Sequence, residues 1–150
     1  MKRLLIPMDG SSCSQQAMQE GLALAKALEA EVTFLHILSL EPSIYTMPES
    51  RVYEPELLEE AKSVARALLA EALLTAKTAS VKAESRLIEA DQPSVARAIL
   101  EAEKDFDLVV MATHGRSGLD RLVLGSVTEG VLRRSSKPHL VVRCQLESKD

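Results

Sequence analysis

The stretch "DLVVMATHGRSGLDRLVLGSVTEGVLRR", residues 107–134, decides how the chain folds. It opens on "DLVVMAT", an apolar run of the kind found in a strand buried on both faces of a parallel sheet. Gly125-Ser126 then starts a helix carrying Val127, Val131 and Leu132. The stretch holds four glycines, more than a turn and a capped helix require. A helix N-terminus presents unpaired N–H groups and a positive dipole end, so it attracts anions. Gly115 and Gly118 can supply positive φ in the connection, and Gly125 leaves room for a phosphate at the helix start. Ser126 and Thr128 add hydroxyls there, and His114 sits inside the same loop. The competing reading is a plain turn before a capped helix, with Arg116 and Arg121 on a solvated face.

The same grammar extends in both directions. "RLLIPMD" (3–9) is a short buried strand ended by Pro7 and Asp9. Ser12 and Gln15 form a capping-box pattern for a helix reaching about Leu28. "EVTFLHIL" (31–38) is a second strand, followed over 39–55 by an irregular loop with three prolines. Leu57, Leu58, Ala61, Val64, Ala65, Leu68, Leu69, Ala72, Leu73 and Ala76 then recur at helical spacing. "VKAESRLIEA" (81–90) alternates like an edge strand with one wet face, and Asp91 before Pro93 opens a short helix through Leu100. "KPHLVVRC" (137–144) is the last strand, and the tail 145–150 is polar. Strands alternating with helices predict a parallel sheet covered on both faces. In such sheets ligands bind at the strands' carboxyl ends, where the strand order reverses.

Composition narrows the classes. The chain has 150 residues, so one domain over 1–144 is expected, with a core built from aliphatic residues because aromatics make up 3%. A net charge of −4 argues against nucleic-acid binding. No apolar run reaches the roughly 20 residues a membrane span needs. Cys13 and Cys144 lie far apart with no CxxC, which suits free thiols in a reducing cytoplasm better than a disulfide framework.

Other sites carry less. Asp9, between a strand and a helix, suits a metal, a ribose or simple capping. There is no GxxxxGK[ST] and no GxGxxG after the first strand. His36, His114 and His139 share no metal-ligand spacing, and Ser126 has no evident base, so no catalytic residue is assigned.

Taken together, "LLIPMDGS", "HGRSG", "LGSVTEGVLR" and "KPHLVVR" resemble the universal stress proteins of the single-domain, ATP-binding kind. That family's signature is G-x2-G-x9-G-(S/T); here it falls on Ala112, Gly115 and Gly125-Ser126. The resemblance implies a five-stranded parallel sheet in the order 3-2-1-4-5. Its switch point would bring Pro7, Met8 and Asp9 to face Ala112 to Gly115. By the same resemblance Asp9 and the Pro7 backbone would approach adenine and ribose, and Asp9 would reach a Mg²⁺ or Mn²⁺ carried with the phosphates. Ile37 would meet the adenine, Met111 would floor the site, and Gly115 with Gly125, Ser126 and Val127 would hold the phosphates. Two alanines depart from the pattern: Ala112 replaces the signature's first glycine, and Ala90 replaces a glycine often found after strand three.

The expectation is therefore a cytoplasmic ATP-binding stress-response switch with little hydrolysis, acting on a signalling partner the sequence does not name. It would pair as a homodimer through 139–143, with no nucleic acid and no membrane. The rivals are a dimeric interaction protein that binds no nucleotide, and an adenylyl-transfer or ATP-pyrophosphatase enzyme. The first usually lacks the spaced glycines and the Gly-Ser. The second needs an SGGxDS-type loop or an HxGH pair, and "PMDGSSCS" supplies neither.

Overall fold

A computed structural model of the chain describes residues 1–39, 55–90, 94–114 and 124–144. The proline-bearing connection, Asp91, Gly115, Gly118, Arg116, Arg121 and the tail from 145 lie outside these residues. The elements run β1 (Arg3–Pro7), α1 (Ser12–Leu28), β2 (Glu31–Ser39), α2 (Pro55–Thr78), β3 (Ala83–Ala90), α3 (Val95–Ala102), β4 (Leu108–Ala112), α4 (Ser126–Arg134) and β5 (His139–Val142). A single 3-10 turn, Glu103–Asp105, joins α3 to β4. The five strands form one parallel sheet in the order β3-β2-β1-β4-β5, as the resemblance implies.

Alternation along the strands sorts the core into two layers. Leu4 and Ile6 of β1, Phe34 of β2 and Val110 of β4 face α1 and α2, against Met18, Leu22, Leu69 and Ala72. Leu5, Leu35, Val109 and Met111 point the other way, onto Ile99, Phe106 and Val131 beneath α3 and α4. A strand's side chains alternate between faces, so consecutive apolar residues require cover on both sides. Helix α1 comes close to the sheet at Gly21, where an added Cβ would lie 2.5 Å from Ile6 Cδ1.

Local details differ from the sequence reading. The α1 cap is Ser11 rather than Ser12: Asp9 Oδ1 accepts the Ser11 N–H at 2.9 Å, holding Ser11 extended so that its Oγ accepts from Ser14 N–H at 3.1 Å. Helix α3 is capped by Ser94, whose Oγ accepts from Arg97 N–H. Strand β1 ends at Pro7, inside the predicted 3–9, because the chain turns at Gly10 with φ 82. Strand β5 begins only at His139, after a proline that has no N–H to offer the ladder.

A buried polar staple fixes the chain between α4 and β5. Ser135 Oγ donates to the Glu103 carboxylate at 2.8 Å and accepts from Lys137 N–H at 2.9 Å. His139 Nδ1 donates to the Lys137 carbonyl at 2.9 Å, with its Nε2 3.5 Å from Glu103 Oε2. The serine proton points at the carboxylate and not at the imidazole, so this trio is a structural tie rather than a nucleophile and its base.

The expectation of free thiols is wrong: Cys13 and Cys144 are joined in a disulfide. Separation along the chain does not measure separation in space. The strand order lays the end of β5 beside the start of α1, with the two Cα atoms 5.0 Å apart, inside the range a disulfide bridges.

Candidate functional site

At the carboxyl edge of the sheet, β1 and β4 are neighbours whose following segments diverge to opposite faces. Parallel strands whose connections split in this way leave a crevice that no side chain of the sheet fills. Here it is a cavity of about 450 Å³, within the range of small-molecule sites. Pro7, Met8, Asp9, Ile37, Met111, Ala112, His114, Gly125, Ser126, Val127 and Thr128 all line it. Two segments a hundred residues apart thus share one site. Of the residues singled out in the sequence, Gly115 lies outside the described residues.

One wall is apolar. Leu35 and Ile37 from β2, Val95 and Ile99 from α3, Met111 from β4 and Val127 from α4 contribute to it. Sequence reasoning missed Val95, Ile99 and Leu35, whose apolar side chains look like ordinary core. Their only signal is topological: they stand where the α3 side of the sheet opens at its carboxyl end. Such a wall suits a flat, weakly polar ring system.

The polar part of the lining is pre-formed. Gly10, in the left-handed region at φ 82, turns the chain so that Asp9 meets the Ser11 amide. Backbone also sets the inner end: Met8 N–H donates to the Leu35 carbonyl at 2.7 Å, and His36 Nδ1 donates to the Met8 carbonyl at 2.7 Å. That bond assigns the His36 ring proton to Nδ1, since a carbonyl only accepts. Ser14 reaches the rim from the first turn of α1.

The start of α4 is held by β4. Gly125 N–H donates to the Thr113 carbonyl at 2.8 Å, and Thr128 Oγ1 donates to the Ala112 carbonyl at 2.8 Å. The Gly125 amide is therefore engaged within the protein. The first-turn amides of Ser126, Val127 and Thr128 remain without carbonyls inside the helix, as at any helix start. Gly125 has φ −58, so glycine serves here by lacking a side chain and not by an unusual backbone angle. His114, buried at the cavity, has Nδ1 3.0 Å from Thr113 Oγ1.

Electrostatically the site is spare. Its described lining includes the Asp9 carboxylate and no lysine or arginine. An anion bound here would rest on the α4 amides and hydroxyls. Among the described residues no group of three or more His, Cys, Asp or Glu side chains could hold a metal ion. A cation fits the described lining only as the companion of an anionic ligand, with Asp9 as the one carboxylate among the described lining residues. The alanine at 112 keeps its methyl in a small cluster with Cys13 and Ala17, on the α1 side of β4.

Residues 1–143 match the profile of the universal stress protein family. A universal stress protein of Methanocaldococcus jannaschii is 33% identical over 144 residues, covering 95% of this chain and 82% of the relative. The fold is similar to that of the universal stress protein UspA from Lactobacillus plantarum, with a TM-score of 0.80 at 23% identity over 95% of this chain and 97% of that one. It is also similar to a universal stress protein solved in complex with cAMP, at TM-score 0.69 and 23% identity, covering 95% and 96% of the two chains.

Proposed function

Because the chain belongs to the universal stress protein family, we propose that it binds an adenine nucleotide, ATP foremost, as a stress-response switch. One observation carries this reading: an apolar slot and a helix N-terminus open into the same cavity, about 450 Å³ in volume. A nucleotide is a flat base joined to an anion, and the site offers a wall for each. Ile37, Val95 and Ile99 would flank the base, and Asp9 would accept from ribose hydroxyls. The Ser126, Val127 and Thr128 amides and the Ser126 hydroxyl would take the phosphates. Mg²⁺ or Mn²⁺ would enter with the phosphates, facing Asp9. The solved relative with cAMP supports an adenine ligand.

The same reading makes the protein cytoplasmic and places it upstream of a partner protein, with nucleotide occupancy as the signal. Among the described residues no helix is long and apolar enough to cross a membrane. It also makes the chain a homodimer through residues 139–143. Strand β5 is an edge strand, and Leu140 is 37% exposed on it. Pairing with a two-fold copy would cover that edge.

Titration calorimetry with ATP, ADP, AMP and cyclic AMP, each with and without Mg²⁺, tests the reading. Dissociation constants of about micromolar size, roughly −7 to −8 kcal/mol, are expected, since no cationic side chain of the described lining grips the phosphates. No heat and no thermal shift with any of the four would refute it.

A further inference from the structure

We propose that Cys13–Cys144 is a reversible thiol–disulfide exchange site whose redox state sets the affinity of the adjacent cavity. The bond lies beside that cavity and ties the start of α1 to the chain just beyond β5. Cys13 lies in the first turn of α1, next to Ser14 on the cavity rim. It packs on Ala112, another lining residue, together with Val142 and Cys144. Cys144 N–H donates to Thr113 Oγ1 at 3.1 Å, and Thr113 N–H donates to the Val142 carbonyl at 3.0 Å. Thr113 in turn accepts the Gly125 N–H at 2.8 Å, which places the start of α4. A short chain of contacts therefore runs from the disulfide to the amides proposed to hold phosphate.

The two cysteines differ in exposure. Cys13 is 1% exposed, whereas Cys144 is partly exposed just beyond β5. A dithiol reductant would thus attack Cys144 Sγ. A thiolate of the reductant bonds to that sulfur as the Cys13–Cys144 bond breaks, and the electron pair leaves on Cys13 Sγ, which takes a proton. The N-terminal end of α1 favours the departing negative charge. The reductant's second thiolate then displaces Cys144, which is also protonated, and the reductant leaves as a cyclic disulfide. Two electrons and two protons pass to the protein. In a cytoplasmic protein a disulfide is usually transient and redox-sensing, so this role agrees with the proposed location.

The oxidised form ties the start of α1 to Cys144, whose amide is bonded to Thr113 at the end of β4, and a pre-organised site binds more tightly. Reduction is expected to weaken ATP binding about fivefold, the low end of ordinary site-to-site coupling. Linkage requires ATP to disfavour reduction by the same factor, which for this two-electron couple is about 20 mV.

The test uses the full chain, equilibrated with dithiothreitol at graded potentials and read by mass-labelled thiols and by backbone amide shifts. Expected are reversible gain of two thiols without unfolding, shifts at Ala112, Thr113, Gly125 and Ser126, and the fivefold loss of ATP affinity. Cys13→Ser with Cys144→Ser should reproduce the reduced spectrum; should that variant not fold, the titration of the natural chain decides alone. Resistance to reduction in the folded state, unfolding upon reduction, unmoved amides at Thr113 and Gly125, or equal ATP affinity of the two redox forms would each overturn the proposal. The coupling to ATP rests on the nucleotide reading. If neither redox form binds any nucleotide, that reading fails and the coupling with it, and thiol counts with amide shifts decide whether the bond is a reversible exchange site.

Discussion

The Thr128 hydroxyl donates to the Ala112 carbonyl across 2.8 Å, tying the first turn of α4 to the end of β4. Both residues are buried, and both line the cavity. The bond turns a loop-to-helix junction into a fixed wall, with the helix amides aimed by the strand.

Replacing Thr128 with valine keeps the shape and removes the donor. The Ala112 carbonyl would then be buried without that partner, at a cost of about 1–3 kcal/mol. Denaturant unfolding should show this loss, and calorimetry should show weaker ATP binding because the α4 start is no longer held. Unchanged stability would mean that water or another donor replaces the hydroxyl.

Asp9 does two things that substitutions separate. Its Oδ1 accepts the Ser11 amide, and the residue lines the cavity. Asp9→Asn keeps an acceptor for Ser11 and removes the charge, so ATP affinity should fall, most with Mg²⁺ present, while the melting temperature stays near that of the parent. Asp9→Ala should lower both. Equal ATP affinity for all three proteins would misplace the site.

Leu140→Lys on the exposed edge of β5 should leave the monomer fold intact and dissociate the proposed dimer. Sedimentation at tens of micromolar, on the order of ordinary transient affinities, distinguishes the two states. A monomeric parent protein would refute the proposed pairing outright.

Hydrolysis of ATP by the purified protein should be slow, below the ~1 s⁻¹ low end of common turnover numbers. Fast phosphoryl transfer requires cationic groups at the γ-phosphate and a positioned base. The described lining supplies no lysine or arginine. Phosphate release with Mg²⁺ or Mn²⁺ measures it; several turnovers per second, abolished in His114→Ala, would make the protein an ATPase.

Acid should act through Asp107. The backbone N–H groups of Lys2, at 2.9 Å, and Arg3, at 3.0 Å, donate to its carboxylate and hold its carboxyl below the ordinary range. A carboxyl depressed on folding contributes stability above its unfolded value and loses it as pH falls through the folded one. Asp107→Asn should therefore lower the melting temperature near neutrality, with the gap closing in acid. A gap independent of pH would show that charge plays no part.

Much of this protein is local and was legible in the sequence. Alternating strands and helices, each with its own period, dictate a parallel sheet, because apolar runs such as "DLVVMAT" must be covered on both faces. The Gly125-Ser126 helix start and the Asp9 turn are likewise short-range features, visible as spaced glycines and a strand-ending carboxylate. Ser11 escaped because its capping depends on the Asp9–Ser11 bond, a matter of backbone angles that residue identity alone does not specify.

What remained for the tertiary structure was distance between residues remote in the chain. Val95 and Ile99 read as core until the sheet opens beside them. Glu103, Ser135 and His139 have no spacing that announces a cluster, yet the packing of the α3 end against β5 brings them together. Cys13 and Cys144 are 131 residues apart, and only the order β3-β2-β1-β4-β5 returns the last strand to the first helix. Sequence periodicity governs what each segment buries; which segments then become neighbours depends on the sheet order, and that order decides both the cavity and the disulfide beside it.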